Sequence, residues 1–256
     1  MCYPCPMAKL DDVVSFCTAR SRLEEVRDFP GAVNGLQVAN PGRVTKIGAA
    51  VDGGLVPFQM AVAAQVDFLI VHHGIFWTPP RPVTGPVHEK LSVLMRGKCA
   101  LYSCHLPLDA HPEIGNNALL AAALALKPVR TFLPYEGTDI GTIVASRLSR
   151  AVLRKRLQAL FPQVTAMEFG SDKPGEIALL TGSGMSAIPH LREAGVDTFI
   201  TGELKQAAFN TAQEERLNLY CCGHYATETF GVKALAAEAA EAFGLPWVFL
   251  DTGCPL

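Results

Sequence analysis

Two histidines, His72 and His73, stand side by side between the apolar run Val66-Asp67-Phe68-Leu69-Ile70-Val71 and Gly74. Neutral imidazole is a common ligand for borderline divalent metals. Further along, His105 is followed four residues later by Asp109, and His224 four residues later by Glu228. Together they make a ligand set fit for two ions such as zinc, iron, manganese or cobalt. One carboxylate can bridge a pair of ions about 3.5 to 4 Å apart. Taken singly, each residue reads as a helix cap or a part-buried core histidine. Their shared position, at or just beyond predicted strand ends, is what points to a metal centre.

Such side chains need elements that deliver them. The apolar, β-branched run ending at His72 predicts a buried parallel strand with polar groups at its C-terminal edge, where α/β sheets carry their sites. Ahead of it, residues 10–23 have helical spacing behind Asp11 and Asp12, and Phe29-Pro30-Gly31 breaks that helix. Asn34 to Val38 reads as a turn into an extended segment. A strand over 44–51 and a helix over 55–65 then complete a strand, helix, strand unit of the kind that builds parallel sheets.

The proline-rich stretch 78–86 predicts an ordered loop beside the His pair. A helix over 88–97 and a strand over 99–104 follow. Pro107 argues against a helix between His105 and Asp109, which places both on a loop. An Ala/Leu-rich helix over 115–126 ends at Lys127-Pro128, and the lobe boundary is expected there. The reading is thus an N-terminal α/β lobe, 1–128, carrying His72, His73, His105 and Asp109, and a C-terminal α/β lobe, 129–256, carrying His224 and Glu228.

The second lobe should hold strands over 138–147, 164–169 and 176–180 and a helix over 149–160. Thr181-Gly182-Ser183-Gly184 then reads as a turn into a helix running to Glu193. Such a turn can cradle phosphate on backbone amides. This one lacks the third glycine of a dinucleotide fingerprint and the lysine of a P-loop, so a tight turn is its first reading. A helix after Tyr225 puts His224 and Glu228 on one face. Two echoes link the lobes. Residues 64–71 resemble 194–201, and Leu101-Tyr102-Ser103-Cys104-His105 is matched by Leu219-Tyr220-Cys221-Cys222-Gly223-His224. The chain therefore reads as a duplicated α/β unit with mixed or parallel sheets.

Composition excludes several classes. Hydrophobic residues make up 49% of the chain and charged residues 18%, an apolar balance that predicts surface buried between subunits. A net charge of −2 offers no basic field to nucleic acid or to a membrane surface. The longest apolar run, 118–126, is far below the roughly 20 residues a bilayer needs. Eight cysteines spread over a chain with an ample core read as reduced cytoplasmic thiols. Cys2-Tyr3-Pro4-Cys5 matches a redox pattern, but at the N-terminus rather than between a strand and a helix; a start at Met7 is the simpler account of this segment.

At this point the ordered motifs carry a resemblance. Asn34-Gly35-Leu36-Gln37-Val38, His72-His73-Gly74, His105-Leu106-Pro107-Leu108-Asp109, Thr201-Gly202-Glu203 and Gly223-His224-Tyr225-Ala226-Thr227-Glu228 together resemble the family of the NGG-one-interacting factor three proteins. Its bacterial members are catalogued as the type 2 homologue of GTP cyclohydrolase I. The resemblance spans nearly the whole chain. It implies two intertwined α/β lobes with a dinuclear metal site between them, in a toroidal homohexamer. Carried over by position, His73 and Asp109 bind one ion, His72 and His224 the other, and Glu228 contacts both. His105, a ligand in the reading from residues alone, becomes an outer group or proton carrier. Larger members insert a middle domain that this chain is too short to hold. Some relatives carry a histidine shortly after the segment matching Gly202-Glu203, where residues 205–210 here have none.

The leading expectation is a metal-dependent hydrolase acting on a nucleotide-like or phosphorylated small molecule, with His105 or Glu203 moving the proton. The competing expectation is a non-enzymatic metal store or oligomeric scaffold.

Overall fold

In the computed structural model, which describes residues 6–77 and 81–256, the two apolar runs before the His pair form neighbouring parallel strands, β4 (Ile47–Asp52) and β5 (Phe68–His73). Before them come β1 (Ala8–Lys9), α1 (Leu10–Arg20), β2 (Gly35–Val38) and β3 (Arg43–Val44); α2 (Leu55–Ala63) links β4 to β5. After them run α3 (Gly85–Arg96), β6 (Ala100–Ser103), α4 (Leu106–Ala110), α5 (Asn116–Ala123), β7 (Lys127–Tyr135) and β8 (Thr138–Ala145). The chain continues through α6 (Arg150–Leu160), β9 (Thr165–Glu168), β10 (Glu176–Ser183), α7 (Ile188–Leu191), β11 (Thr198–Glu203) and α8 (Ala207–Glu215). It closes with β12 (Asn218–Cys221), α9 (His224–Thr227), α10 (Thr229–Phe243) and β13 (Trp247–Phe249).

The described residues divide into two compact units, one running up to Leu108 and including 231–253, the other made of 109–230 with 254–256. The division therefore falls before Asp109 rather than at residue 128. The C-terminal segment returns to the first unit because β13 pairs in parallel with β4, adding a strand to its sheet.

The first unit is built on a five-stranded mixed sheet in the order β13-β4-β5-β6-β2, with β2 antiparallel to β6. Strand β4 is buried from Ile47 to Val51 and β5 from Phe68 to His72, as expected of parallel strands covered on both faces. Phe58 of α2, Leu94 of α3 and Leu69, Val71 and Leu101 of the sheet share one core. Helix α1 turns Leu10, Val13 and Cys17 inward and carries Asp11 and Asp12 in its first turn, where the helix dipole favours them.

The second unit is built on a six-stranded mixed sheet in the order β7-β8-β10-β11-β12-β9. Strands β10, β11 and β12 are parallel, and β9 lies antiparallel to β12. Leu153 and Leu157 of α6 pack with Val144, Ile177, Leu179, Ile200 and Tyr220. Within each unit the same four strands recur in the same spatial order, β4-β5-β6-β2 in one and β10-β11-β12-β9 in the other. In both, the last strand in space is the first in sequence and runs antiparallel. That shared topology gives the two sequence echoes their structural counterpart.

Several local expectations are revised. Gly85 and Pro86 open α3 instead of ending a loop, because proline at a helix start loses no hydrogen bond. Residues Leu106–Ala110 form a short helix, not a loop; Pro107 lies in its first turn, where it is tolerated for the same reason. Pro128 lies inside β7, an edge strand that the sequence reading did not anticipate, and an edge strand can accommodate proline. The Cys2/Cys5 pair and residues 78–80 of the proline-rich loop lie outside the described residues. Among the described residues, no helix is long and apolar enough to cross a membrane.

Candidate metal centre

Strand β5 ends in His72 and His73, and the chain leaving β6 supplies His105, so three imidazoles arise at adjacent parallel strand ends of the first unit. Their ring centroids lie 4.8 Å (His72 to His73), 4.9 Å (His72 to His105) and 5.4 Å (His73 to His105) apart. Each offers a ring nitrogen within 4.8 Å of the other two.

All three rings are held through Nδ1. His72 Nδ1 lies 2.9 Å from the carbonyl oxygen of Cys104, His73 Nδ1 2.8 Å from Asp52 Oδ1, and His105 Nδ1 2.8 Å from Asp28 Oδ1. A carbonyl or carboxylate oxygen can only accept, so each Nδ1 donates its proton and the lone pair of each neutral ring falls on Nε2. Fixing the far nitrogen to an oxygen is how proteins set the tautomer of metal-binding histidines. The donor set therefore suits a borderline divalent ion.

Asp52 faces His73 because the two are paired across β4 and β5. Asp28 is buried beside His105. Burial alone would raise its pKa, but the hydrogen bonds it accepts from His105, Asn34 and the Phe29 N–H hold it below the usual carboxylate value. Its Oδ2 accepts from Asn34 Nδ2 (2.8 Å) and Leu106 N–H (3.0 Å), while Asn34 Oδ1 accepts the His105 N–H (2.9 Å). The loop after His73 is equally fixed: Gln37 Oε1 accepts from Ile75 N–H at 2.8 Å, and a Cβ on Gly74 would lie 2.3 Å from Gln37 Nε2.

In the second unit, His224 and Glu228 are brought together by α9, with Nε2 and Oε1 3.1 Å apart. The two elements α9 and α10 replace the single helix expected after Tyr225. Glu203, at the end of β11, places Oε1 3.1 Å from His224 Nδ1. The bond to Glu228 raises the His224 pKa, burial opposes it, and the charges of Glu228 and Glu203 add to bring it to about 9. An imidazole gripped on both nitrogens by carboxylates marks a place that attracts cations.

Asp109 is buried, and its Oδ1 accepts from Asn116 Nδ2 (2.8 Å) and Thr181 Oγ1 (3.2 Å). Asp109 and Glu228 each offer a carboxylate oxygen, within 4.8 Å of one another. Asn117 ties this corner down, donating to the backbone oxygens of Asp109 and Ile140 and accepting the Thr181 N–H.

The glycine-rich turn at Thr181 has a different use from phosphate binding. Strand β10 runs on to Ser183, and the amides of Thr181, Gly182 and Gly184 are bonded to Asn117 Oδ1, Thr227 Oγ1 and the Glu203 carbonyl. The helix after it, α7, has only four residues. Burial pushes the thiols of Cys99 and Cys222 up to about 12 and that of Cys221 to about 11, so none of these offers a thiolate near neutral pH.

The sequence reading missed Asp28, Asp52, Asn116 and Asn117, and took Thr181 only as the start of a turn. Asp52, an acid closing a buried strand, was detectable; Asp28 stands before a Pro-Gly break with no periodicity to mark it.

The Duf34/NIF3 (NGG1p interacting factor 3) family profile matches residues 8–255. The chain belongs to the Duf34/NIF3 family. Among its curated relatives is the "GTP cyclohydrolase 1 type 2 homolog" of Deinococcus radiodurans, 39% identical over 225 residues, which cover 86% of this chain and 85% of that one. The protein of the same name from Archaeoglobus fulgidus is 34% identical over 242 residues, covering 94% and 97%. Among solved structures, TTHA1606 from Thermus thermophilus superposes with a TM-score of 0.84 at 40% identity, covering 97% of this chain and 100% of that one. This Duf34/NIF3 member thus carries groups of histidine and acidic side chains able to hold a metal ion.

Proposed function

We propose that the donors of the two units act as one set holding two divalent ions, and that the protein is a cytoplasmic metal-dependent hydrolase of a nucleotide-like or phosphorylated small molecule. In this reading His73 and Asp109 hold one ion, His72 and His224 the other, and Glu228 contacts both. The observation that carries it is the uniform orientation of the three imidazoles, each with Nδ1 on an oxygen and its lone pair on Nε2. A core histidine needs no such arrangement three times over at one sheet edge.

Bound ions of this class would supply Lewis acidity toward a carbonyl or phosphoryl oxygen. The chain's own residues would manage protons and position. Asp28 holds the His105 ring so that Nε2 can take up a proton. Glu203, half exposed at the end of β11, is the second group suited to proton transfer. The curated relatives' name, "GTP cyclohydrolase 1 type 2 homolog", favours nucleotide-like substrates over others. We further propose a homo-oligomer, favoured by the apolar composition, with the six copies that the family resemblance implies; light scattering measures it.

The test is elemental analysis of protein purified without added metal or chelator, followed by a hydrolysis screen of nucleotides and phosphoesters. Metal near two ions per chain, lost in Glu228→Ala together with turnover, is the expected result. Metal loss in that variant with turnover of every substrate intact would overturn the hydrolase reading.

A further inference from the structure

The second unit also holds a cavity of about 480 Å³ that the metal donors do not account for. Small-molecule sites ordinarily run from about 300 to 1,000 Å³. It is lined by Gly202 and Glu203 from the end of β11 and by Cys221 and Gly223 at the end of β12. It therefore lies at the C-terminal edge of parallel strands, where α/β sheets take their ligands. Glu203 belongs to the cavity wall and also bonds His224, so the cavity adjoins one of the proposed metal donors.

The lining has a definite chemistry. Met167 from β9 and Phe209 from α8 give it apolar walls, Gln163 and Gln206 add amide groups, and Lys205 is the one cation among its lining residues. Phe209 is 44% exposed although its helix buries Ala208 and Ala212. Its ring is braced by Phe169 in an edge-to-face contact, centroids 5.8 Å apart at 78°. A large, partly exposed aromatic braced at a cavity wall is well suited to stack against a flat ring.

We propose that this cavity is the ring subsite for the substrate. It takes a flat heteroaromatic ring of nucleobase type, stacked on Phe209 with its polar edge toward Gln163 and Gln206, and Lys205 draws an anionic substituent. This rests on the nucleotide-like substrate reading above and adds where the ring binds and which residues select it.

Calorimetric titration of the full chain with guanosine 5′-monophosphate, adenosine 5′-monophosphate and ribose 5-phosphate measures binding without turnover. The nucleotides should bind, and ribose 5-phosphate, which lacks the ring, should bind about tenfold more weakly or worse. Phe209→Ala should weaken nucleotide binding about tenfold, with metal content unchanged, and Phe209→Trp should retain it. Lys205→Ala should weaken both nucleotides while leaving a phosphate-free probe such as guanosine unaffected. Equal affinity in Phe209→Ala and the parent, equal binding of the ringless phosphate, or no nucleotide binding would overturn the proposal. So would loss of self-association in Phe209→Ala without any nucleotide binding by the parent, which would make the cavity a contact between copies. Nucleotide binding through Phe209 with no hydrolysis would leave the subsite standing and remove only the hydrolase reading.

Discussion

Gly182 sits against Glu228 so closely that a Cβ on it would fall 2.1 Å from Glu228 Oε1 and 3.2 Å from His224 Nε2. Its φ of +70° is itself disfavoured for any residue with a side chain. The end of β10 is thus shaped to let a carboxylate and an imidazole rest on backbone. Gly182→Ala should lower the unfolding free energy by about 1–3 kcal/mol and displace Glu228. Denaturant titration and elemental analysis of the variant check both effects, and an unchanged metal content would refute the cradle.

Removing a proposed ligand should cost metal more than fold. Glu228→Gln and His72→Ala are each expected to lose most bound metal, whereas Glu203→Gln should keep it and lose turnover instead. Elemental analysis beside a hydrolysis assay separates the two classes.

Asp28 should matter through His105. Asp28→Asn leaves a similar shape but loses the charged acceptor, costing roughly 1–3 kcal/mol of stability and about 100-fold or more in turnover at unchanged metal content. The depressed Asp28 pKa fixes the sign of a pH effect. Its stabilisation is complete above the unfolded value of about 4 and is lost as pH falls through the lower folded value. The parent should therefore lose stability on that acid limb more steeply than Asp28→Asn, as read from denaturation midpoints between pH 5 and pH 2.

His224 gives the opposite sign. Its folded pKa of about 9 lies above the unfolded value of about 6.5. In chelator-treated protein its contribution should be complete below about pH 6.5 and vanish as pH rises through about 9. Denaturation midpoints across that range should fall in the parent and stay flatter in His224→Ala.

Asn117 should prove a structural residue of the site. Its amide serves Asp109, Ile140 and Thr181 at once, and Asn117→Ala leaves those buried backbone groups unsatisfied. A loss of at least about 1–3 kcal/mol is expected, with Asp109 loosened and metal content reduced; thermal melts and elemental analysis test it.

Periodicity and residue type were enough to find much of this molecule. The apolar runs before His72 and Thr201 read as buried strands because parallel strands covered on both faces leave little room for polar residues. The echo between them pointed to a repeated unit, and the two sheets share that strand order. The imidazoles and carboxylates were visible because few other residue types hold borderline metals.

What the sequence left open depended on pairing between distant segments. Whether Pro107 breaks or begins a helix depends on where the helix starts, and α4 begins at Leu106. That the last strand returns to the first unit depends on the pairing of β13 with β4, some 200 residues apart in the chain, which no local pattern encodes. The chemistry of the histidines was likewise undecided until Asp28, Asp52 and the Cys104 carbonyl met their Nδ1 atoms. A ring's tautomer is set by the oxygen it meets in space. The sequence by itself determined which side chains could hold a metal; only the tertiary structure decided which nitrogen of His72, His73 and His105 carries the lone pair.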